Sequence, residues 1–281
     1  MKIGIIGNGF VGNATMQLKC KDIEVMAYDL NPELCIPKNT TLTDMLDCEI
    51  IFVSVPTPMQ KDGSCYLKIV KAVIDNLNEI KYSNFIVLRS TVPVGTCDEL
   101  STYFMPEFLT EKNFIDDFIN NKDWIFGLLG SSKDNDFKKS ITKLFDLAYK
   151  NDKIKNTSVH FITNKEAEMV KMFRNCFLST KVSFCNEMHQ FCELKNINYE
   201  NVRVLAANDN RILHSHTKVP GPDGKKGFGG TCFPKDTSSL RYEMRKVGME
   251  PYILDSIIKR NEKIDRPEKD WNENEGRAVI N

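Results

Sequence analysis

The feature that most restricts what this chain can become is a glycine-rich hexapeptide, Gly7-Asn8-Gly9-Phe10-Val11-Gly12. It sits directly between an apolar run at 3–6 and a stretch of helical periodicity. Glycines at that spacing allow a sharp turn out of a strand, a close approach of backbone to a bulky anion, and tight packing of the next helix on the strand. About twenty residues after Gly7, Asp29 closes a second apolar run at 24–28. Strand, glycine turn, helix, strand and acid is the order in which an α/β sheet builds a dinucleotide site. The helix start offers N–H groups to a pyrophosphate, and the acid accepts hydrogen bonds from an adenosine ribose. Leu30 and Asn31 beside it supply no arginine for a 2′-phosphate, which favours NAD over NADP.

Further apolar runs at 50–55, 85–88, 125–129 and 159–162 alternate with amphipathic stretches at 67–80, 97–104 and 137–149. This alternation predicts a Rossmann-type, doubly wound α/β domain with a largely parallel sheet over residues 1–162. The pattern changes at Thr163-Asn164-Lys165-Glu166, a capping box. No proline or glycine follows until beyond Leu194, and apolar residues recur at helical spacing, so one helix of about thirty residues is predicted. It heads an all-helical domain over 163–262, with further helices at 199–208, 237–247 and 252–261 and a Gly/Pro-rich loop at 214–234. Apolar residues lie on more than one side of the long helix, which suits burial against its own domain and against a second copy. Phe173, Phe177, Phe184 and Phe191 are assigned to core and interface packing. The polar tail, 263–281, is expected to be extended.

The 281 residues are 41% hydrophobic and carry no net charge, which speaks against an electrostatic nucleic-acid binder or a polybasic membrane anchor. No apolar run reaches the length of a membrane span, and the amino terminus enters a strand without the layout of a secretory signal. The nine cysteines are odd in number, with no C-x-x-C pair, so neither a disulfide framework nor a zinc site is expected. A reducing, cytoplasmic compartment follows, and most cysteines are expected to be small core residues. His214 and His216 lack a third ligand and are expected to be surface loop residues, leaving no metal site.

One cysteine has special surroundings. Gly227-Phe228-Gly229-Gly230-Thr231-Cys232-Phe233-Pro234-Lys235-Asp236 places glycines, a lysine and a helix-starting proline around Cys232. Flexible backbone permits close approach to a ligand, and a nearby cation or helix start favours the thiolate, so Cys232 is a candidate nucleophile.

This decapeptide resembles the active-site signature of the UDP-glucose/GDP-mannose/UDP-N-acetylmannosamine dehydrogenases. Other segments match that family in order: Val55-Pro56-Thr57-Pro58, Ser90-Thr91-Val92-Pro93-Val94-Gly95-Thr96, Pro106-Glu107-Phe108-Leu109, and the pair Lys171 and Asn175. The resemblance runs from Lys2 to about Arg260. It implies an NAD-dependent oxidation of a nucleotide-sugar C6 alcohol to a carboxylate, first of all UDP-glucose to UDP-glucuronate. Cys232 would attack the C6 aldehyde, the thiohemiacetal would be oxidised to a thioester, and water would release the acid. Lys171 and Asn175 would stabilise the oxyanion. Thr91 and Asp236 would position water, with Asp236 a possible base, and Glu107 would assist proton movement.

Cofactor contacts are implied for Gly7, Gly9, Phe10, Val11, Gly12, Asp29, Val55, Pro56, Thr57, Thr91 and Lys235. Substrate contacts are implied for Glu107, Phe108, Leu109, Glu111, Lys171, Asn175, Arg211, Phe228, Gly229 and Gly230, with Arg211 reaching a neighbouring subunit's substrate. The family's long helix builds a homodimer.

Met105 replaces the family's usual asparagine before Pro-Glu-Phe. The third, carboxyl-terminal domain that holds much of the nucleotide in the family is expected to be missing from these residues. Weak nucleotide binding, a partner chain or a different substrate then stay open, and Lys225 and Lys226 are candidates to meet the diphosphate instead. Three other readings remain: the same chemistry on UDP-N-acetylmannosamine or a related sugar, a two-electron hydroxyacid or 6-phosphogluconate-type dehydrogenase, and a non-enzymatic NAD-binding dimer.

Overall fold

Seven strands form one sheet: β1 (Lys2–Ile6), β2 (Glu24–Tyr28), β3 (Ile50–Val53), β4 (Phe85–Leu88), β5 (Tyr103–Phe104), β6 (Trp124–Leu128) and β7 (Val159–Thr163). The computed structural model describes residues 1–280. The strand order is β2-β1-β3-β4-β5-β6-β7, parallel throughout except between β5 and β6. Side chains alternate between two buried clusters with the period of a strand. Ile3, Ile5, Ile50 and Phe52 join one cluster, and Ile6, Ile51 and Val53 join the other. A sheet buried on both faces reads as continuous β-branched sequence, as these strands do. The order reverses at β1, so the turn leaving its carboxyl end sits at a topological switch point, where open α/β sheets hold ligands.

The helices of this first unit are α1 (Phe10–Met16), α2 (Lys68–Glu79), α3 (Thr96–Glu99), α4 (Phe114–Ile119) and α5 (Asp134–Lys150). The stretch 97–104, expected as a helix, is instead the single turn α3 followed by β5. Ser101 takes a left-handed φ of 54° that ends the turn, and Tyr103 and Phe104, both favourable to strands, enter the sheet.

The described chain divides into two compact units: Met1–Thr57 with Leu67–Lys171, and Pro58–Tyr66 with the residues from Met172 onward. α6 (Asn164–Leu194) is the long helix, and the capping box starts it. Thr163 Oγ1 accepts the Glu166 N–H at 3.3 Å, while Glu166 Oε2 accepts the Thr163 N–H at 2.8 Å. Its buried face is mixed, with Ala167, Met172, Cys176, Cys185 and Cys192 beside polar residues. Glu168, Lys171, Asn175, Ser179 and Asn186 are buried. Phe173, Phe177, Phe184 and Phe191 are 61%, 59%, 60% and 53% exposed, so their expected place in the core is corrected to an outward stripe.

The second unit adds α7 (Tyr199–Ala207), α8 (Phe233–Lys246) and α9 (Tyr252–Arg260). The tail is not extended. After α9 come a π-turn, Asn261–Asp265, and a 3₁₀ turn, Asp270–Glu273. Trp271, Ala278 and Val279 are buried against Met59, whose backbone exchanges bonds with Ala278 and Ile280 at 2.8 and 2.9 Å. A few apolar side chains among many charges gave too weak a period to announce this folding-back. Among the described residues no helix is long and apolar enough to cross a membrane.

Candidate functional site

The glycine turn behaves as its spacing requires. Gly7 has φ +86°, and a Cβ there would stand 2.7 Å from the Ser54 carbonyl oxygen. Gly12 packs so closely on the Gly7 carbonyl that no side chain fits. On Gly9 a Cβ would meet nothing within 4 Å, and no side chain caps α1. That open face of glycine backbone fits the close approach of a pyrophosphate. Phe10 and Val11 begin α1, with Phe10 edge-on to Phe114. Asp29 stands beside the turn, accepting the Asn8 N–H at 2.7 Å and the Asn31 N–H at 2.9 Å. The loops after β3 and β4 are joined: Ser90 Oγ donates to the Val55 carbonyl at 2.6 Å and Thr57 Oγ1 to the Thr91 carbonyl at 2.7 Å. Pro56 lies exposed between them, and Thr91 is buried.

A buried ion pair follows β5. Lys171 Nζ lies 2.6 Å from Glu107 Oε1 and also donates to the Glu107 carbonyl at 2.7 Å, 5.9 Å above the Phe108 ring. The other Glu107 oxygen accepts the Leu109 N–H at 3.0 Å. Burial pushes the Glu107 carboxyl up, but Lys171, the Leu109 N–H and Arg89 outweigh it and hold it below the ordinary carboxylate range. Lys171 directs two ammonium donors at Glu107, leaving a third for a ligand oxygen. Glu111 is exposed.

In the second unit Cys232 is the N-cap position of α8, half-buried, with Pro234 in the first turn. Buried Asp236 receives Asn175 Nδ2 at 2.5 Å on one oxygen and Lys235 Nζ at 2.5 Å on the other. Burial opposes the Lys235 charge, yet Asp236 and the Cys232 sulfur together raise its pKa above the ordinary lysine value. Cys232 therefore sits at a helix start beside a lysine that stays cationic, the two surroundings that activate a thiol. Cys176 contrasts with it: burial drives its thiol far up, and it only touches the Asp236 carbonyl at 3.8 Å.

The residues expected from sequence thus fall into separate groups: the turn with Asp29, the joined loops with Thr91, the Glu107–Lys171 pair with Phe108 and Leu109, and Asn175–Asp236–Lys235 with Cys232. Phe228 is in the core of its unit, Gly229 is half-buried, and Gly230 is exposed. Arg211 is exposed and bound to Asp209 at 2.5 Å. Lys225 and Lys226, expected to meet a diphosphate, are instead engaged within the chain. Lys225 lies 2.7 Å from Asp270 and Lys226 3.1 Å from Glu193. No disulfide joins any of the nine cysteines.

Sequence reading missed two buried charges in the first unit. Arg89, directly before Ser90-Thr91, bonds Thr15 Oγ1 and the Val11 carbonyl and lies 5.6 Å over Phe118. Burial lowers its pKa to about 10, against the pull of Glu107. Glu168 accepts the Gly95 N–H at 2.5 Å and the Cys97 N–H at 2.8 Å, fixing the start of α3. A charge one residue before a motif, or within a long helix, gives no signal of its own.

Comparison with known proteins agrees with this layout. Residues 34–147 match the NAD binding domain of the UDP-glucose/GDP-mannose dehydrogenase family, and residues 165–263 match its central domain. A UDP-glucose 6-dehydrogenase from Pseudomonas aeruginosa is 30% identical, over 93% of this chain and 65% of its own length. One from Rickettsia bellii is 29% identical, over 78% of this chain and 50% of its own length. The chain thus spans between half and 65% of these relatives. A solved UDP-glucose dehydrogenase from Pyrobaculum islandicum shares the fold, with a TM-score of 0.78 at 23% identity over 93% of this chain and 68% of that one.

Proposed function

From a chain that belongs to the UDP-glucose/GDP-mannose dehydrogenase family, carrying its NAD-binding and central domains, we propose a nucleotide-sugar 6-dehydrogenase. It oxidises a sugar C6 alcohol to a carboxylate, with UDP-glucose the first substrate to try. The glycine turn and Asp29 would hold NAD, and two molecules bound in turn would each accept one hydride. The chain supplies the rest. Cys232 adds to the C6 aldehyde, so the reactive intermediate stays covalently bound until a second oxidation makes it a thioester. Lys171 and Asn175 offer N–H donors to the oxygen that gains charge. Asp236 holds the hydrolytic water with Thr91, and Glu107 moves the proton.

The observation that carries this reading is the arrangement around Cys232: a half-buried thiol at a helix start, with Lys235, Asp236 and Asn175 bonded into one buried group. A single hydride transfer needs no such thiol, which sets the reading against a two-electron hydroxyacid dehydrogenase. The test is the amount of NADH formed per sugar across UDP- and GDP-linked glucose, mannose and N-acetylmannosamine. About two NADH per sugar is expected. One per sugar means a two-electron enzyme, and none with any sugar leaves an NAD-binding scaffold.

The exposed phenylalanines of α6 support a homodimer through that helix, since a stripe of this kind on a monomer marks an interaction face. A monomer mass at micromolar concentration would remove it. An odd count of nine cysteines with no C-x-x-C pair suits a reducing cytoplasm.

A further inference from the structure

The Cys232 loop is not held by its own sequence. Gly227 and Phe228 are bonded by side chains from elsewhere in the second unit, and Gly229 packs against a third. Asn261, 1% exposed and the first residue of the π-turn, presents its amide edge-on to Phe228. Asn261 Oδ1 accepts the Phe228 N–H at 2.8 Å, and Asn261 Nδ2 donates to the Phe228 carbonyl at 2.8 Å. One side-chain amide thus stands in for a neighbouring strand. From α6, Asn186 Oδ1 accepts the Gly227 N–H at 3.1 Å. Gly227 has φ +69° and leaves no room for a Cβ against Asn261, and Gly229 leaves none against the Arg266 guanidinium.

Arg266 is itself buried, 3% exposed, and fixed by carboxylates on both sides: Asp223 at 2.6 Å and Asp270 at 2.8 Å. Asp223 lies four residues before Gly227, and Asp270 in the 3₁₀ turn after α9. Only Gly230 and Thr231 separate this anchored half from Cys232, which α8 holds from the other side.

We propose that Asn261 and Arg266 are positioning residues for Cys232: they fix the backbone of 227–229 so that the thiol is presented at the start of α8. What the thiol then does rests on the dehydrogenase reading. A core built only for stability would fill this space with apolar groups. A fully bonded polar network instead fixes one geometry, because each bond has a direction and a missed one is costly when buried.

The test uses the full chain. Asn261→Asp keeps the shape and the acceptor but removes the N–H given to Phe228. With the circular-dichroism spectrum unchanged, kcat should fall about tenfold or more while the NAD KM stays within about twofold. Iodoacetamide labelling of Cys232, measured by peptide mass spectrometry against Cys65 in the same sample, should change at least about threefold. A folded variant with unchanged kcat and unchanged labelling overturns the proposal, as does one that loses only thermal stability.

If Asn261→Asp fails to fold, Gly229→Ala decides. Its Cβ would overlap the Arg266 guanidinium, so kcat should fall about tenfold or more and Cys232 labelling should change at least about threefold. A folded Gly229→Ala variant with unchanged kcat and unchanged labelling overturns the proposal. A wild type that forms no NADH with any sugar sinks the dehydrogenase reading instead, and the labelling comparison still decides the frame.

Discussion

The glycine turn of the first unit and the thiol loop of the second are both glycine-rich backbone at the start of a helix, yet they are held in opposite ways. The turn is fixed by backbone: strand β1, helix α1 and the Ser54 carbonyl against which Gly7 packs. The thiol loop is held by side chains: Asn186 and Asn261 bond it, and Arg266 packs against Gly229. A site for an invariant ligand part, a pyrophosphate, can be built from backbone alone. A reacting sulfur needs a defined position, and here long-range polar bonds supply it.

The largest effect expected from breaking this contrast is Cys232→Ser. NADH formation should fall by about a thousandfold or more. NAD binding, read by fluorescence titration, should stay unchanged, because the packing of Gly7 and Gly12 and the bonds of Asp29 lie within the first unit. A serine variant that keeps full turnover would end the covalent reading.

The turn was legible because each of its constraints is local. Gly7, Gly12 and Asp29 announce a strand, a helix and an acid within thirty residues. The alternating apolar runs likewise revealed most of the strands, since a sheet buried on both faces leaves its mark in every residue. β5 was missed because two residues are too few to show a period. Among the site residues, Cys232, Lys235 and Asp236 stand together in the chain. The bond from Asn175 to Asp236 and the pairing of Glu107 with Lys171 close only when distant segments meet.

Glu107 and Lys171 form a buried long-range polar contact in the first unit, like those of the second. Glu107→Gln leaves a buried ammonium without its carboxylate and should cost on the order of 3 kcal/mol, read from the denaturant midpoint. Next comes Gly12→Ala, whose Cβ would overlap the Gly7 carbonyl. It should weaken NAD binding by about tenfold and leave Cys232 labelling unchanged. A parallel loss of labelling would mean that the two regions depend on each other.

The pH dependence sharpens the same point. The lowered carboxyl of Glu107 contributes stability that is fully present above the ordinary value of 4.5 and is lost as pH falls through its lower folded value. The gap in stability between wild type and Glu107→Gln should therefore narrow below pH 4.5. A gap that stays constant down that limb would mean the pair carries no charge-dependent stability. The smallest effect expected is Lys226→Ala, which removes only an exposed pair with Glu193 and should leave the sugar KM within about twofold. A much weaker sugar affinity would return Lys226 to the diphosphate.

By itself the sequence determined the α/β sheet, the glycine turn, the long helix and which cysteine to propose as the nucleophile. Each is written in a period or a spacing that a single segment must satisfy alone. Only the tertiary structure decided that the phenylalanines of α6 face outward, that the tail folds back on Met59, and that Asn261 and Arg266 frame the thiol. An exposed stripe and a buried one have the same period, and a polar side chain names its partner only when folding brings the two together.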